Sequence, residues 1–242
     1  MKEQRITLLD DSDNKILWRT RKGMDTRANF DRLLQDLQKE ILYMGSMVEK
    51  AIKDAVTSLA STDTKLAQKI IDQDNEVDEM MLNIENHCVA LIALQQPIAG
   101  DLRAITTTFK IVTDLERIAD YAVDIAKTTL QLSGERLLKP LVDTPRMAEM
   151  AIDMLQESLL SYTERNTSRA NRIAEKEKEV DRLYATIFQE LIELMETEKS
   201  TNRQVAHLLM VIRYIERVAD HATNIGEWTI YMVNGKRNSL NP

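Results

Sequence analysis

A row of acidic residues on a helix is written twice in this chain, and that duplication limits what the chain can fold into. In Thr113 to Lys127, TDLERIADYAVDIAK, the residues Leu115, Ile118, Ala119, Ala122, Ile125 and Ala126 recur at spacings of three and four. Such a period predicts an amphipathic helix. Glu116, Asp120 and Asp124 fall on that helix at a spacing of four. One hundred residues later comes YIERVADHATNIGE, Tyr214 to Glu227, and six of the twelve positions from 116 to 127 are identical at that offset. Average composition would give roughly one match in twelve.

The rest of the chain repeats as well. Met44, Met47, Ala51, Ile52, Val56 and Leu59 correspond at an offset of 103 to Met147, Met150, Met154, Leu155, Leu159 and Tyr162. These stripes predict core-facing helices. A stop and N-cap at Asp63-Thr64 has its counterpart at Asn166-Thr167. Helices are expected over about 26–60, 64–94, 101–132, 145–163, 168–196 and from about 202 to Asn234-Gly235. Gly45 inside the first calls for a close helix contact, since glycine costs about 1 kcal/mol there relative to alanine. The interruption from Ser133 to Pro145 is the natural boundary between halves.

Short connections make neighbouring helices antiparallel, so each half is expected to be a three-helix bundle. The fold class is therefore all-α: two tandem repeated three-helix bundles with six main helices. The bundles are assigned to 24–135 and 136–242. Residues 1–23 match nothing later and are expected to be a disordered or non-native extension, with Met24 as the functional start. Six Gly, four Pro and three Phe in 242 residues agree with an all-helical chain.

The second helix of each half carries its own acid pair, Asp74 and Asp78 in DNEVD, and Glu177 and Asp181 in EKEVD. Counted from Pro97, Asp78 and Glu116 are each 19 residues away, and Asp74 and Asp120 each 23. Counted from Lys199, Asp181 and Glu177 are 18 and 22 away, and Glu216 and Asp220 are 17 and 21. At 1.5 Å of rise per residue the pairs lie within about 3 Å of one level. Glu116 sits roughly 40° around the helix from the core position Val112, Asp120 roughly 80°, and Asp124 roughly 120°. Four carboxylates gathered beside a core repel one another, and a multivalent cation removes that repulsion. Carboxylate-only sites suit hard ions, iron and manganese, and partly zinc. The competing expectation is a salt-bridged surface row, because Arg117 and Arg217 adjoin the key glutamates.

A net charge of −7 argues against a nucleic-acid partner. No apolar run of eighteen residues and no signal peptide is visible, so a cytoplasmic chain is expected. The single cysteine, Cys88, lies in an apolar helix and is expected to be a buried structural thiol. None of His87, His207 and His221 stands three residues after a glutamate, so the Glu-x-x-His motif of di-iron bundles is missing. His221 is expected on the helix surface. No phosphate-binding glycine loop or serine nucleophile motif occurs. Binding is therefore expected rather than catalysis.

Several stretches together resemble the PhoU family of bacterial phosphate-uptake regulators. They are Met44-Gly45-Ser46-Met47-Val48-Glu49, DNEVD, Gln95-Gln96-Pro97, Gly100-Asp101-Leu102-Arg103, and above all Glu116 to Asp120 and Glu216 to Asp220. The resemblance covers about Met24 to Asn234. It implies two three-helix bundles side by side. The family's motif, Glu or Asp, three residues, then Asp, falls on Asp74 and Asp78, Glu116 and Asp120, Glu177 and Asp181, and Glu216 and Asp220. These eight are the expected metal ligands, for iron or zinc or another divalent cation.

Asn224 replaces the counterpart of Asp124, which would leave the second site one charge poorer. The resemblance further implies a non-enzymatic negative regulator of phosphate uptake and phosphate-starvation signalling. Its expected partners are a second copy in a homodimer, the phosphate transporter's ATPase subunit and a sensor histidine kinase. Membrane association would be only through those partners. The alternatives are a carboxylate-bridged metal enzyme and a helical scaffold without metal.

Overall fold

The structure, a computed structural model, describes residues 11–138, 140–197, 199–237 and 239–240. Residues 1–10 of the expected N-terminal extension lie outside the described residues. Among the described residues seven α-helices follow in order: α1 Asp11–Ser61, α2 Thr64–Asp72, α3 Asp74–Gln95, α4 Ala99–Gln131, α5 Asp143–Thr163, α6 Thr167–Thr197 and α7 Asn202–Asn234. A single 3₁₀ turn, Lys199–Thr201, precedes α7, and no strand occurs among the described residues.

The all-α class and the six main helices hold, with two local differences. Helix α1 begins at Asp11, ahead of the expected start near Thr26. No proline falls between Asp11 and Gly23 to stop it, and Lys15, Arg19, Arg21 and Lys22 are good helix formers. The helix expected over 64–94 is divided at Gln73 into α2 and α3. Its counterpart α6 runs unbroken through the equivalent Lys176. The sequence explains the difference. Asp72-Gln73-Asp74-Asn75 contains residues that favour helix starts and turns, whereas Glu175-Lys176-Glu177-Lys178 is composed of strong helix formers.

Both caps form as expected. Asp63 accepts hydrogen bonds from the Lys65 and Leu66 backbone N–H groups at 3.0 Å. Asn166 accepts from Arg169 N–H at 3.0 Å. At the far end, Gly235 adopts φ 71° and closes α7 by donating its N–H to Tyr231.

Helices α1, α4, α7 and α5 pack in a ring, α1 on α4, α4 on α7, α7 on α5, and α5 on α1. Helices α2 and α3 lie against α1 and α4, and α6 lies against α5 and α7. The first bundle is thus α1 with α2–α3 and α4, and the second is α5, α6 and α7. One apolar cluster fills both, including Ile41, Met44, Ile118, Met147, Val180 and Ile215. Full burial of a side chain such as Ile118 contributes about 2 kcal/mol. Cys88 is buried, as expected. Gly45 meets the Leu159 side chain so closely that a Cβ there would collide with Leu159 Cδ1, which accounts for the glycine.

The duplication extends to single contacts. Ser58 bonds Thr129 at 3.1 Å in the first bundle, and the equivalent Ser161 bonds Thr229 at 3.3 Å in the second. Helices α4 and α7 run antiparallel along the seam between bundles. There Asp114 meets His221 at 2.8 Å, and the equivalent positions, Tyr214 and Tyr121, stack with centroids 5.8 Å apart. His221 is therefore a seam residue, its side chain 18% exposed, and not the surface histidine that the sequence suggested. The buried Asp114 acceptor draws it in.

Candidate metal centre

Each acid row is positioned by a helical hairpin. Helix α3 ends at Gln95 and α4 begins at Ala99, which centres the first hairpin on Pro97. Gln96 turns the chain with φ 46°. Helix α6 ends at Thr197 and α7 begins at Asn202, so the second hairpin centres close to Lys199. The level matching computed from these midpoints thus applies. Core residues fix the helix faces: Val77 on α3, Leu115 and Ala119 on α4, Ile173 and Val180 on α6, and Ile215 and Ala219 on α7 are all buried. The carboxylates stand beside these apolar stripes.

In the first bundle, Asp74, Asp78, Glu116 and Asp120 come within electrostatic reach of one another. Burial raises the Asp74 carboxyl above its usual range, and the charges of Asp78, Asp120 and Asp124 add to that. Glu116 is raised by burial and then by Asp120, with smaller contributions from Asp78 and Asp74. Arg117 opposes this repulsion from one side, 3.0 Å from Asp120 and 3.4 Å from Glu116. Asp124 is 38% exposed, no more than Asp120 at 39%, and pairs with Lys127 at 3.4 Å.

The second bundle repeats the arrangement in a drier setting. Glu177 is only 2% exposed. Burial first, then Asp220, Asp181 and Glu227, push its carboxyl up to about 7, partly offset by the Thr223 hydroxyl. Glu216 is raised by burial and by Asp220, and Asp220 by burial and by Asp181. Arg213 pairs with Glu216, and Arg217 lies 3.9 Å from Asp220. Asp181 is the exposed member. One carboxylate oxygen, Glu216 Oε2, is buried without a hydrogen-bond partner. An orphaned anionic oxygen at such a place fits the donor set of a cation site.

The eight expected residues thus fall into two groups of four, one per bundle, each within electrostatic reach of its own members. Among the described residues, however, no three His, Cys, Asp or Glu side chains already converge closely enough to hold a metal ion between them. On α4 and α7 arginines pair with the acids instead, Arg117 with Glu116 and Asp120, Arg217 with Asp220, as the salt-bridge alternative anticipated, and also Arg213 with Glu216. The donor chemistry fits a hard or borderline cation, and binding one would draw the carboxylates away from Arg117, Arg213 and Arg217.

Beyond these eight, a further acid acts on the second group. Asn224 does replace Asp124, and it turns to the seam, 3.4 Å from Asp114. Three residues on, however, Glu227 stands where the first bundle has Lys127. Glu227 is 6% exposed, and its charge reaches Glu177. Sequence reasoning passed over Glu227, although it lies seven residues after Asp220 and hence on nearly the same helix face.

Comparison with known proteins identifies the family. The PhoU domain family matches residues 41–129 and 144–229, which contain all eight carboxylates. A phosphate-specific transport system accessory protein PhoU homolog of Clostridium acetobutylicum is 44% identical over 217 residues, covering 89% of this chain and 99% of that protein. The crystal structure of PhoU from Pseudomonas aeruginosa superposes with a TM-score of 0.81 at 35% identity, covering 86% of this chain and 100% of that one. That of the phosphate transport system regulatory protein PhoU from Streptococcus pneumoniae gives 0.80 at 31% identity, covering 86% and 99%. Two bundles, two acid groups and these matches lead to one assignment: the chain belongs to the PhoU family.

Proposed function

We propose that this protein is a non-enzymatic, cytoplasmic regulator that restrains phosphate uptake and phosphate-starvation signalling, and that it holds iron or zinc at its two carboxylate groups. The observation that carries the metal assignment is the duplicated set of eight acids, seven of them buried or partly buried and five with raised pKa, together with the orphaned Glu216 Oε2. In the first bundle Asp74, Asp78, Glu116 and Asp120 would hold the cation, and in the second Glu177, Asp181, Glu216 and Asp220. A cation there neutralises like charges that the fold otherwise forces together.

The regulatory role rests on family membership: relatives are named as accessory or regulatory proteins of phosphate transport. Among the described residues no helix is long and apolar enough to cross a membrane. The reading therefore places the protein at the membrane only through partners, the transporter's ATPase subunit and a sensor histidine kinase, and as a homodimer. Deleting the gene in its host tests the role. Raised phosphate uptake and an unrepressed starvation response are expected in phosphate-rich medium, whereas unchanged uptake and output would overturn it.

A further inference from the structure

Helix α1 is longer than the bundle that it helps to build. Arg27 bonds Asp101, in the first turn of α4, at 2.6 Å, so α1 passes the tip of the α3–α4 hairpin at that residue. Asp11 to Thr26 belong to the same helix and continue past the tip for about 24 Å. Among the described side chains of α1, Phe30 is the first to join the apolar cluster, and Arg27, Ala28 and Asn29 are exposed.

The projecting stretch reverses the sign of the chain's charge. Lys15 to Lys22, KILWRTRK, holds four cations and no acid in a protein of net charge −7. It also holds Ile16, Leu17 and Trp18. A helical segment both apolar and basic is complementary to an apolar groove with acidic edges.

This chain carries such a groove. Between α1 and α3 a cavity of about 310 Å³ is floored by Leu33, Leu37, Leu91 and Leu94 and edged by Asp36 and Glu40. Leu94 is 78% exposed. Asp36 pairs with Lys39 at 2.7 Å, and Glu40 with His87 at 2.9 Å, in solvent-screened contacts that another cation can replace at little cost. Because α1 is unbroken from Asp11 to Ser61, the segment cannot reach the groove of its own chain.

Symmetry sets the register. A two-fold axis perpendicular to α1 makes two copies of the helix antiparallel. With the axis between Arg27 and Ala28, Lys15 stands level with Glu40 of the second copy, Arg19 with Asp36, and Trp18 with Leu37 in the groove floor. No other antiparallel register levels two of the four cations with both acids. Segment and groove lie on one helix, so the two-fold fills both grooves at once, with the small Ala28 at the crossing.

We infer that Lys15 to Lys22 docks in the α1–α3 groove of a second copy, and that this exchange builds the homodimer. The inference rests on the homodimer proposed above and gives it a surface and a register.

The test measures the monomer–dimer equilibrium of the full chain by sedimentation at micromolar concentration. The wild type is expected to dimerise. Trp18→Ala should weaken the dimer at least about thirtyfold, as loss of an aromatic anchor does. Asp36→Lys/Glu40→Lys should weaken it at least about tenfold. Adding Lys15→Glu/Arg19→Glu should restore it to within about threefold of the wild type, a rescue that damage to the bundle would not show. Arg19→Cys/Asp36→Cys should form a disulfide between chains, since Cys88 is buried and does not compete. Arg19→Cys/Lys53→Cys, with the second thiol about 26 Å further along α1, should not. A dimer unchanged by Trp18→Ala and by the charge reversals would overturn the docking and leave the homodimer standing on another surface. A disulfide closed within one chain would overturn the exchange between copies. A wild type that stays monomeric would overturn both the docking and the homodimer.

Discussion

Glu177 offers the sharpest test of the electrostatics. Its carboxyl is 2% exposed, and its pKa stands at about 7 against an ordinary 4.5. At about 1.36 kcal/mol per pH unit, ionising it in the fold costs about 3 kcal/mol more than in the unfolded chain. The sign follows from proton binding. Between pH 4.5 and about 7 the folded form holds this proton and the unfolded form does not. Stability from this group is thus full at low pH and falls as pH rises through about 7.

Glu177→Gln imitates the protonated side chain and removes the cost. In urea unfolding with a chelator present, the wild type and Glu177→Gln should be equally stable at pH 4.5. At pH 8 the variant should be more stable by about 2–3 kcal/mol. Adding zinc at pH 8 should stabilise the wild type and close much of that gap. A stability difference that stays constant from pH 4.5 to 8 would refute the argument, because it would show that Glu177 ionises in the fold as easily as outside it.

Three further outcomes are expected from packing and hydrogen bonding. Gly45→Ala should lower stability by about 1–3 kcal/mol because its Cβ meets Leu159, whereas Gly100→Ala, which faces open space in the first turn of α4, should be neutral or stabilising; urea midpoints compare them. Asp114→Ala should cost about 1–3 kcal/mol by leaving His221 unpaired at the seam, and a double-mutant cycle with His221→Ala should show a coupling of at least about 0.5 kcal/mol. Asp63→Ala should cost about 1 kcal/mol by uncapping α2, measured by thermal unfolding.

Much of this architecture was legible in the sequence because period and duplication act together. The Met and Leu stripes marked the core, and the paired caps at Asp63 and Asn166 marked the helix starts. The hairpin midpoints put Asp74 and Asp78 level with Asp120 and Glu116. What escaped depends on contacts between elements distant in sequence. The break at Gln73 is the local exception: Asp72, Asp74 and Asn75 favour turns and helix starts over helix interiors. The inward turn of His221 is decided by Asp114, 107 residues away. Glu227 escaped because its partners, Leu240 and Arg237, lie in a non-repeating segment, so the duplication that exposed the other acids was silent about it.

Equilibrium dialysis against iron or zinc followed by metal analysis tests the central claim most directly. The wild type should retain metal. Asp78→Asn/Asp120→Asn and Asp181→Asn/Asp220→Asn should each lose the share of one group and keep the other. A wild type that emerges without metal, or paired variants that retain as much as the wild type, would contradict the assignment of these acids as cation ligands.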